Sequence, residues 1–519
     1  MRTLYRNGVV VTMDREIGTA DAVLVDGDRF EAVGAEALDR AGTAEVVDLG
    51  GATVVPGLID AHAHLETDAV SNARWVDVRD VEPSELLERL RRHAAGVPAG
   101  TWIVGQASFS QDRALPDRHQ LDSVAPDHPV LVRASMHALA ANTLALRQAG
   151  LMTSIYAPTG TVVERDSAGT PTGHLLEAFH LFPVDDLGIA ETADLLEHSI
   201  HDRFNRYGVT TVYEVPMSRQ GMRGFQVLDQ EDRLNARIAL FPAIRPGLQP
   251  LIDDIEHLAS TGIASGFGND RLWLGGAKFF MDSIHDEAFW AARDVDHPSR
   301  WGAVTHLYSD VVRALSIGYR AGLQLWFHAI GVGAQQVVID AALEAQRVVG
   351  GDGGTRTRIE HIFNERSGTP EMYADLARAG IIPVPNAVFI HIYGGGVGAF
   401  PYRTLIEEGF MPPGNSDNSG TQPFANNPWF GIQKLTTRLT RNGEEILPDE
   451  RIGVFDGLRT YTEFGAFAGH REGRLGVIRP GAFADFAVLD ADPFTIAHEE
   501  LGTIQSALTV MGGRTVWQA

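Results

Sequence analysis

The stretch Pro56-Gly57-Leu58-Ile59-Asp60-Ala61-His62-Ala63-His64 decides the fold class of this chain. Its apolar residues predict a strand that ends on two histidines. In a strand, residues i and i+2 point to the same side, so the imidazoles of His62 and His64 can converge on one metal ion. A His-x-His pair alone is a weak signal, and the rest of the chain has to support it.

Strands and helices alternate on either side of this stretch. Glycines such as Gly208, Gly322 and Gly380 end helical stripes, and an apolar strand run follows each of them. The predicted strands are 53–60, 209–215, 237–244, 272–280, 322–328, 356–361, 381–385 and about 412–417. Eight strands in repeated βα units are typical of an α/β fold of the (β/α)8 barrel type.

Both ends of the chain are rich in short β-branched runs and in Asp-Gly or Gly-Gly hairpin signals. We therefore expect residues 1–52 and 475–519 to form one small β-sandwich domain and residues 53–474 to form the barrel. The segment between the first two barrel strands is too long for one helix. Residues from about 100 to 185 are thus predicted to be a subdomain inserted after strand 1.

Composition excludes several classes of protein and of site. The 519 residues include 43 Lys and Arg against 67 Asp and Glu, and the net charge of −24 argues against a nucleic-acid or anionic-membrane surface. The chain has 0 cysteines, which excludes disulfides, thiolate metal sites and a cysteine nucleophile. No apolar run approaches the roughly 18–20 residues of a membrane span, and no signal-peptide core is visible. We expect a cytoplasmic protein.

Further candidate ligands stand at the predicted carboxyl ends of other strands. His328 ends the fifth predicted strand, His361 the sixth and Asp417 the eighth. Taken singly, each has a plainer interpretation, the histidines as satisfied core or loop residues and the aspartate as a turn residue. The carboxyl ends of barrel strands form one rim, so these residues can meet at one site despite their separation in sequence.

Lys278 closes the apolar strand run 272–280. Burial of an ammonium group is unfavourable unless the lysine is paired or modified. One interpretation is a lysine that snorkels or pairs with Asp282. The other is a neutral amine that has reacted with CO2, because the resulting carbamate is an anionic ligand that can bridge two divalent ions.

These motifs resemble the amidohydrolase superfamily, and within it amidohydrolase family 3, the branch that contains N-substituted formamide deformylase. The resemblance covers nearly the whole chain, beginning at residues 51–64, including 173–177 and 208–211, and closing with 476–490. Three motifs depart from the branch. They are Asn415-Ser416-Asp417 in place of Gly-Ser-Asp, Asp282-Ser283 in place of Asp-Gly, and Pro385-Asn386 in place of Gln-Pro.

The resemblance implies a role for each candidate residue. His62 and His64 would hold the more buried metal, and Asp417 would orient the bridging hydroxide and shuttle its proton. The remaining implied ligands are carbamylated Lys278 as the bridge, and His328 and His361 for the second metal. His137 lies in a segment similar to a His…Asn segment of the branch, which places it near the substrate. A structural histidine of the inserted subdomain is the alternative.

This residue set predicts a metal-dependent hydrolase. Without a cysteine or a Gly-x-Ser-x-Gly motif, the nucleophile is expected to be metal-bound water, whose pKa a divalent ion lowers to about 7. A second ion or His137 would polarise the carbonyl oxygen, and Asp417 would pass the proton to the leaving nitrogen. We expect cleavage of an amide, formamide or cyclic amide. Zinc is the expected ion, one or two per subunit, with Mn, Fe or Co as alternatives.

Two other classes of function use the same residues. One is a metal-dependent decarboxylase or esterase with the same ligands. The other is a catalytically silent binding protein that keeps the fold, although a complete ligand set with a titratable Asp417 argues against it. The expected partner is a small-molecule substrate rather than nucleic acid or a membrane. The sequence leaves the oligomeric state open, with a homodimer as one option.

Overall fold

The fold is described from a computed structural model of the chain. It covers residues 2–108, 115–135, 137–154, 161–182, 184, 187–244, 251–282, 306–364, 367–392, 398–422 and 424–519. Over these residues, no helix combines the length and the apolar character that crossing a membrane requires.

The strands and helices follow one another in α/β alternation through the middle of the chain, with strands grouped at both ends. The strands are β1 (Arg2–Val11), β2 (Thr19–Asp26), β3 (Arg29–Val33), β4 (Glu45–Asp48), β5 (Thr53–Pro56), β6 (Leu58–Ala63), β7 (Val76–Asp77), β8 (Ile103–Gln106), β9 (Val130–Arg133), β10 (Ala138–Ala141), β11 (Val162–Arg165), β12 (Pro171–Leu176), β13 (Val209–Glu214), β14 (Arg237–Leu240), β15 (Leu272–Leu274), β16 (Gly276–Phe280), β17 (Gln324–His328), β18 (Arg358–Glu360), β19 (Ile382–Val384), β20 (Phe486–Leu489), β21 (Ser506–Met511) and β22 (Arg514–Gln518). The α-helices are α1 (Ala35–Arg40), α2 (Leu65–Arg74), α3 (Pro83–Ala94), α4 (Arg118–Val124), α5 (Thr143–Gln148), α6 (Ile189–Ser199), α7 (Arg219–Gln230), α8 (Leu251–Ser260), α9 (Tyr308–Ala321), α10 (Val332–Val349), α11 (Pro370–Ala379), α12 (Tyr402–Glu407), α13 (Pro428–Thr437), α14 (Val454–Thr460) and α15 (Glu463–Ala468).

The two ends of the chain pair in one eight-stranded sheet of order β22-β21-β20-β5-β1-β2-β3, with β4 beside β1. The predicted strand 53–60 is wrong as a single strand, because β5 belongs to this terminal sheet and β6 begins the barrel. Gly57 lies at the division. Its N–H donates to the Asp485 carbonyl at 2.8 Å, and a Cβ there would lie 2.1 Å from the Thr210 hydroxyl. The terminal sheet therefore extends to Pro56.

The barrel strands form two four-stranded parallel sheets, β6-β13-β14-β15 and β16-β17-β18-β19. Gly275 alone separates β15 from β16, and a Cβ at this position would lie 2.2 Å from the Phe241 ring. The predicted strand 272–280 is thus divided in two, and each part pairs with a different neighbour. Tyr213, Phe241 and Trp326 fill the space inside these strands, with the last two rings stacked at 3.5 Å.

The predicted eighth strand, 412–417, is not a regular strand. Pro412 and Pro413 lack the N–H groups that a ladder needs. The segment nevertheless runs along β6, where the Asp417 N–H donates to the His62 carbonyl at 2.8 Å and the Ala61 N–H donates to the Gly414 carbonyl at 3.1 Å. On the other side, the Asn415 side-chain amide donates to the Pro385 carbonyl, just after β19, at 2.9 Å.

A six-stranded sheet of order β11-β12-β10-β9-β8-β7 lies between β6 and β13 in the chain. We call it the inserted sheet. It begins upstream of the predicted start near residue 100, since β7 and α3 precede that point. Leu86, Leu90 and Val132 are among the buried side chains that join α3 to the strands. The inserted sheet thus has a core of its own beside the barrel.

Candidate metal centre

The two histidines of the His-x-His pair lie at the carboxyl end of β6. His62 and His64 are 1% and 3% exposed, and their ring centroids are 5.4 Å apart. Asp417 Oδ1 lies 3.3 Å from His64 Nε2 and 3.7 Å from His62 Nε2. The candidate ligand atoms of these three residues all lie within 4.8 Å of one another. This cluster has the spacing and the donor types of a divalent-metal site.

Strand alternation turns Lys278 toward this cluster. Its neighbours Ala277 and Phe279 pack with the outer helices, so the lysine projects to the other side of β16. Lys278 is fully buried, and its Nζ lies 3.2 Å from His62 Nε2. Burial lowers the pKa of Lys278 to about 8, although the Glu360 and Asp417 carboxylates act in the opposite direction. A neutral amine is therefore accessible near neutral pH.

Asp282, the predicted alternative partner of this lysine, accepts hydrogen bonds from the N–H groups of Ile330 and Gly331 at 3.0 and 2.8 Å. Its Oδ1 lies 3.8 Å from His328 Nε2. Ser283, the second residue of that departing motif, lies outside the described residues. Asp282 thus braces the loop after β17, next to a candidate ligand.

Two further predicted metal ligands, His328 and His361, lie at the ends of β17 and β18. In β17, Leu325 and Phe327 pack outward against the helices, which leaves His328 on the inner side with Trp326. His361 follows β18 directly, with a left-handed φ of 64°. The ring centroids of His328 and His361 are 4.7 Å apart, and His361 Nε2 lies 3.8 Å from Asp417 Oδ2.

Burial sets the protonation state of these rings. It lowers the pKa of His62, His328 and His361 well below the ordinary value, and nearby positive groups lower it further. The pKa of His64 is lowered as well, chiefly by burial. The imidazoles are therefore neutral at pH 7, which is the form that binds a metal.

Asp417 occupies an unusual backbone position. Its φ is 47°, in the left-handed region that non-glycine residues rarely adopt. The preceding Ser416 N–H donates to the buried Asp60 carboxylate at 3.0 Å, which helps to hold this conformation. Burial raises the pKa of Asp60 to about 7. Burial acts in the same direction on Asp417, but His62, His64 and Lys278 outweigh it and hold its pKa below the usual range.

His137 reaches the same place from the inserted sheet. It directly precedes β10, and its ring centroid lies 4.8 Å from that of His328 and 6.3 Å from that of Phe280. Its Nδ1 lies 2.6 Å from Glu177 Oε1. Burial lowers the pKa of His137, but Glu177 outweighs this effect and raises it above the ordinary value. All seven predicted site residues thus lie in one connected group of contacts, namely His62, His64, His137, Lys278, His328, His361 and Asp417.

Comparison with known proteins identifies the family. The sequence profile of the amidohydrolase family matches residues 45–517. The chain belongs to the amidohydrolase family. It is 30% identical to N-substituted formamide deformylase of Arthrobacter pascens, over 98% of this chain and 96% of that protein. It is also 25% identical to the putative amidohydrolase YtcJ of Bacillus subtilis, over 100% of both chains.

Solved structures show the same fold for this amidohydrolase. An uncharacterized metal-dependent hydrolase from Pyrococcus horikoshii superimposes with a TM-score of 0.73 at 21% identity, over 96% of this chain and 99% of that one. Atrazine chlorohydrolase TrzN from Arthrobacter aurescens, solved with zinc, gives a TM-score of 0.58 at 14% identity, over 99% and 95%. The TIM-barrel type of α/β fold is therefore confirmed. Family membership confirms the predicted activity class, metal-dependent hydrolysis of a carbon–nitrogen bond.

A buried ion pair that the sequence analysis did not predict, Arg358 with Glu360, lies beside His62 of the candidate metal centre. Glu360 Oε2 lies 2.9 Å from His62 Nδ1, and Arg358 Nε donates to Glu360 Oε1 at 2.8 Å. The Arg358 guanidinium stacks 3.5 Å above the Trp326 ring. Such partners orient a ligating imidazole. The available signal was the Arg-x-Glu spacing directly before His361, which puts two charged side chains on the inner face of a buried strand.

Proposed function

We propose that this amidohydrolase binds one or two divalent ions, zinc first, at the barrel rim and uses them to hydrolyse a small amide. The supporting observation is the cluster of the buried His62 and His64 with the partly exposed Asp417, with ligand atoms within 4.8 Å of one another. The donor set fits a divalent ion, because the imidazoles are neutral and the carboxylate is anionic. The full proposed ligand set is His62, His64, Lys278, His328, His361 and Asp417.

We propose that Lys278 serves as a carbamate. The ammonium group first loses a proton, and the neutral amine then attacks CO2. An N–C bond forms, one C–O π bond of CO2 opens onto oxygen, and the nitrogen releases a second proton, so the side chain ends as an anion. Two observations support this change, the complete burial of the side chain and the 3.2 Å separation of Nζ from His62 Nε2. An ammonium group at that distance would repel a divalent ion.

A bound divalent ion would supply a water molecule with its pKa lowered to about 7 and would polarise the substrate carbonyl. Residues of the chain would transfer the proton and stabilise the carbonyl oxygen. Asp417 takes a proton from the attacking water, whose oxygen forms a bond to the carbonyl carbon. Asp417 then gives the proton to the nitrogen as the C–N bond breaks. His137 hydrogen-bonds the carbonyl oxygen as it gains negative charge.

The proposed substrates are amides, formamides and cyclic amides. The relative with 30% identity is named for deformylation of N-substituted formamides, which puts that class first. A decarboxylase or esterase with the same ligands is the second candidate. A panel of N-alkylformamides, lactams, esters and carboxylic acids separates these candidates by the product released.

Metal dependence is tested with the purified full chain. Elemental analysis should find up to two equivalents of a divalent metal, and chelation should abolish activity that zinc or manganese then restores. A magnesium addition serves as the control for non-specific ion effects. Full activity in rigorously metal-free protein would overturn the proposal.

We further propose that residues 412–417 close the barrel between β19 and β6. The backbone hydrogen bond from Asp417 to His62 and the side-chain bond from Asn415 to Pro385 support this closure. The predicted division into a terminal β-sandwich (1–52 and 475–519), a barrel (53–474) and an insertion (about 100–185) is proposed with it, with two boundaries moved. The terminal domain gains β5, and the insertion starts at β7. The cytoplasmic location and the homodimer stay predictions.

A further inference from the structure

The inserted sheet carries a histidine–carboxylate pair that faces the metal centre. His137 directly precedes β10 and Glu177 directly follows β12, two strands that pair antiparallel with Ala138 opposite Leu176. The Glu177 N–H donates to the His137 carbonyl at 2.8 Å, so the backbone register brings the two residues side by side. Their side chains meet at 2.6 Å between Nδ1 and Oε1.

We propose that Glu177 is a positioning residue that holds the His137 ring for catalysis. A carboxylate is only an acceptor, so Nδ1 of His137 must carry the hydrogen in this bond. This bond sets the rotation of the ring and turns Nε2 away from Glu177. A ring that is also protonated at Nε2 would then donate to the substrate carbonyl oxygen, since both nitrogens of a doubly protonated imidazole are donors. This inference rests on the proposed role of His137 at the substrate carbonyl, and it adds the residue that determines the orientation of that ring.

The backbone at Glu177 favours a functional role over a stabilising one. Its φ of 53° lies in the left-handed region, which is unfavourable for a residue with a side chain. The side chains of His137 and Glu177 are 12% and 26% exposed, so the pair lies largely inside the protein. An unfavourable backbone conformation is thus retained at a residue that contacts His137, whose ring lies 4.8 Å from that of His328.

A second histidine–glutamate pair in the same sheet offers a matched control. His174 Nδ1 lies 3.1 Å from Glu164 Oε2, and these side chains are 36% and 57% exposed. Glu164 and His174 lie on β11 and β12, and Glu177 directly follows β12. Glu164→Gln removes one carboxylate charge from a histidine–glutamate pair of the inserted sheet, as Glu177→Gln does, but it leaves the contacts of His137 intact.

The experiment compares Glu177→Gln, Glu164→Gln, His137→Ala and the double variant His137→Ala/Glu177→Gln as zinc-loaded full chains. For each variant, kcat, KM, metal content and melting temperature are measured with an N-alkylformamide found active in the substrate panel. We expect Glu177→Gln to lower kcat about 10- to 100-fold with KM and metal content nearly unchanged. Glu164→Gln should match the wild type. In the His137→Ala background, Glu177→Gln should change kcat by about twofold or less.

Each other outcome has a separate meaning. If His137→Ala lowers kcat while Glu177→Gln does not, the inference about Glu177 is overturned and the proposed role of His137 stands. If His137→Ala leaves kcat unchanged, the role of His137 fails and the inference fails with it, whereas metal dependence is judged by the chelation experiment. If Glu177→Gln does not fold, Glu177→Asp keeps the carboxylate, and its kcat must fall with metal content intact. An unchanged kcat in Glu177→Asp and equal losses in both His137 backgrounds would each contradict positioning through the ring.

Discussion

The barrel rim and the inserted sheet contribute different kinds of residue to one site. The rim brings together donors that are far apart in sequence, such as His62 and Asp417, because parallel barrel strands end at a common edge. The inserted sheet adds no residue to the proposed ligand set. It contributes His137 and hydrogen bonds to the loop that follows Asp417. The comparison teaches that the proposed ligands come from the rim, whereas the contacts to the loop after Asp417 come from the inserted sheet.

Two arginines of the inserted region contact that loop. Arg133, at the end of β9, donates to the Ser419 carbonyl at 3.2 Å and lies 5.2 Å from the Trp75 ring. Arg79, after β7, donates to the Gly420 carbonyl at 2.8 Å. Burial lowers the pKa of Arg133 to about 9. Both contacts follow Asp417 within three residues, so the inserted sheet braces the loop that carries the proposed proton shuttle.

The largest effect is expected at the rim, from Lys278→Ala. This change removes the proposed bridging ligand, so bound metal and activity should be lost together. We expect a fall in turnover of more than about 10⁴-fold, beyond what one acid–base group supplies. Metal analysis and single-turnover rates check this, and short carboxylic acids should restore part of the activity. An active variant with a full complement of metal would remove the bridge from the mechanism.

Asp417→Asn is expected to have the next largest effect. The amide keeps the size and one oxygen, so most of the metal should stay, while turnover per bound metal should fall about 10²- to 10⁴-fold. Rates normalised to metal content test this separation. If turnover per metal stays the same and only the melting temperature drops slightly, Asp417 is a turn residue beside Asn418, and the proton-shuttle role is wrong.

Arg133→Met tests the contribution of the inserted sheet. We expect turnover to fall about 10-fold and stability to fall by about 1–3 kcal/mol, because the Ser419 carbonyl loses its donor. Metal content should not change. Chemical denaturation and kcat are the measurements. Arg92→Met is the matched control, since its side chain is 63% exposed in an ion pair with Glu85, and its change in stability should stay within about 0.5 kcal/mol.

The smallest effect is expected from Arg79→Met. Its side chain is 12% exposed and makes one hydrogen bond to the loop, at the Gly420 carbonyl, along with bonds to Asp77. Loss of one such bond, worth about 0.5–1 kcal/mol, should lower kcat about twofold to fivefold. A loss larger than that of Arg133→Met, measured in the same assay, would show that the order of the two arginine contacts is reversed.

Local patterns in the sequence predicted much of the fold and the residues of the candidate site. Strand runs, helical stripes and glycines at helix ends report residue periodicity, which depends only on neighbours in the chain. The carboxyl ends of predicted strands therefore sufficed to select His328, His361 and Lys278, and the absence of cysteine restricted the donor types. The same residue periodicity predicted the TIM-barrel type of fold.

Other features depend on contacts between distant segments, which periodicity does not encode. Gly57 divides a run that reads as one strand because Thr210 and Asp485 pack against it. The Glu360 carboxylate contacts His62 only when the barrel strands have assembled. Arg133 likewise contacts the loop after Asp417 only when the inserted sheet is in place. The sequence by itself determined which residues have the chemistry of a metal site. The tertiary structure decided which partners orient them, because hydrogen-bond geometry is set by the packing of whole elements.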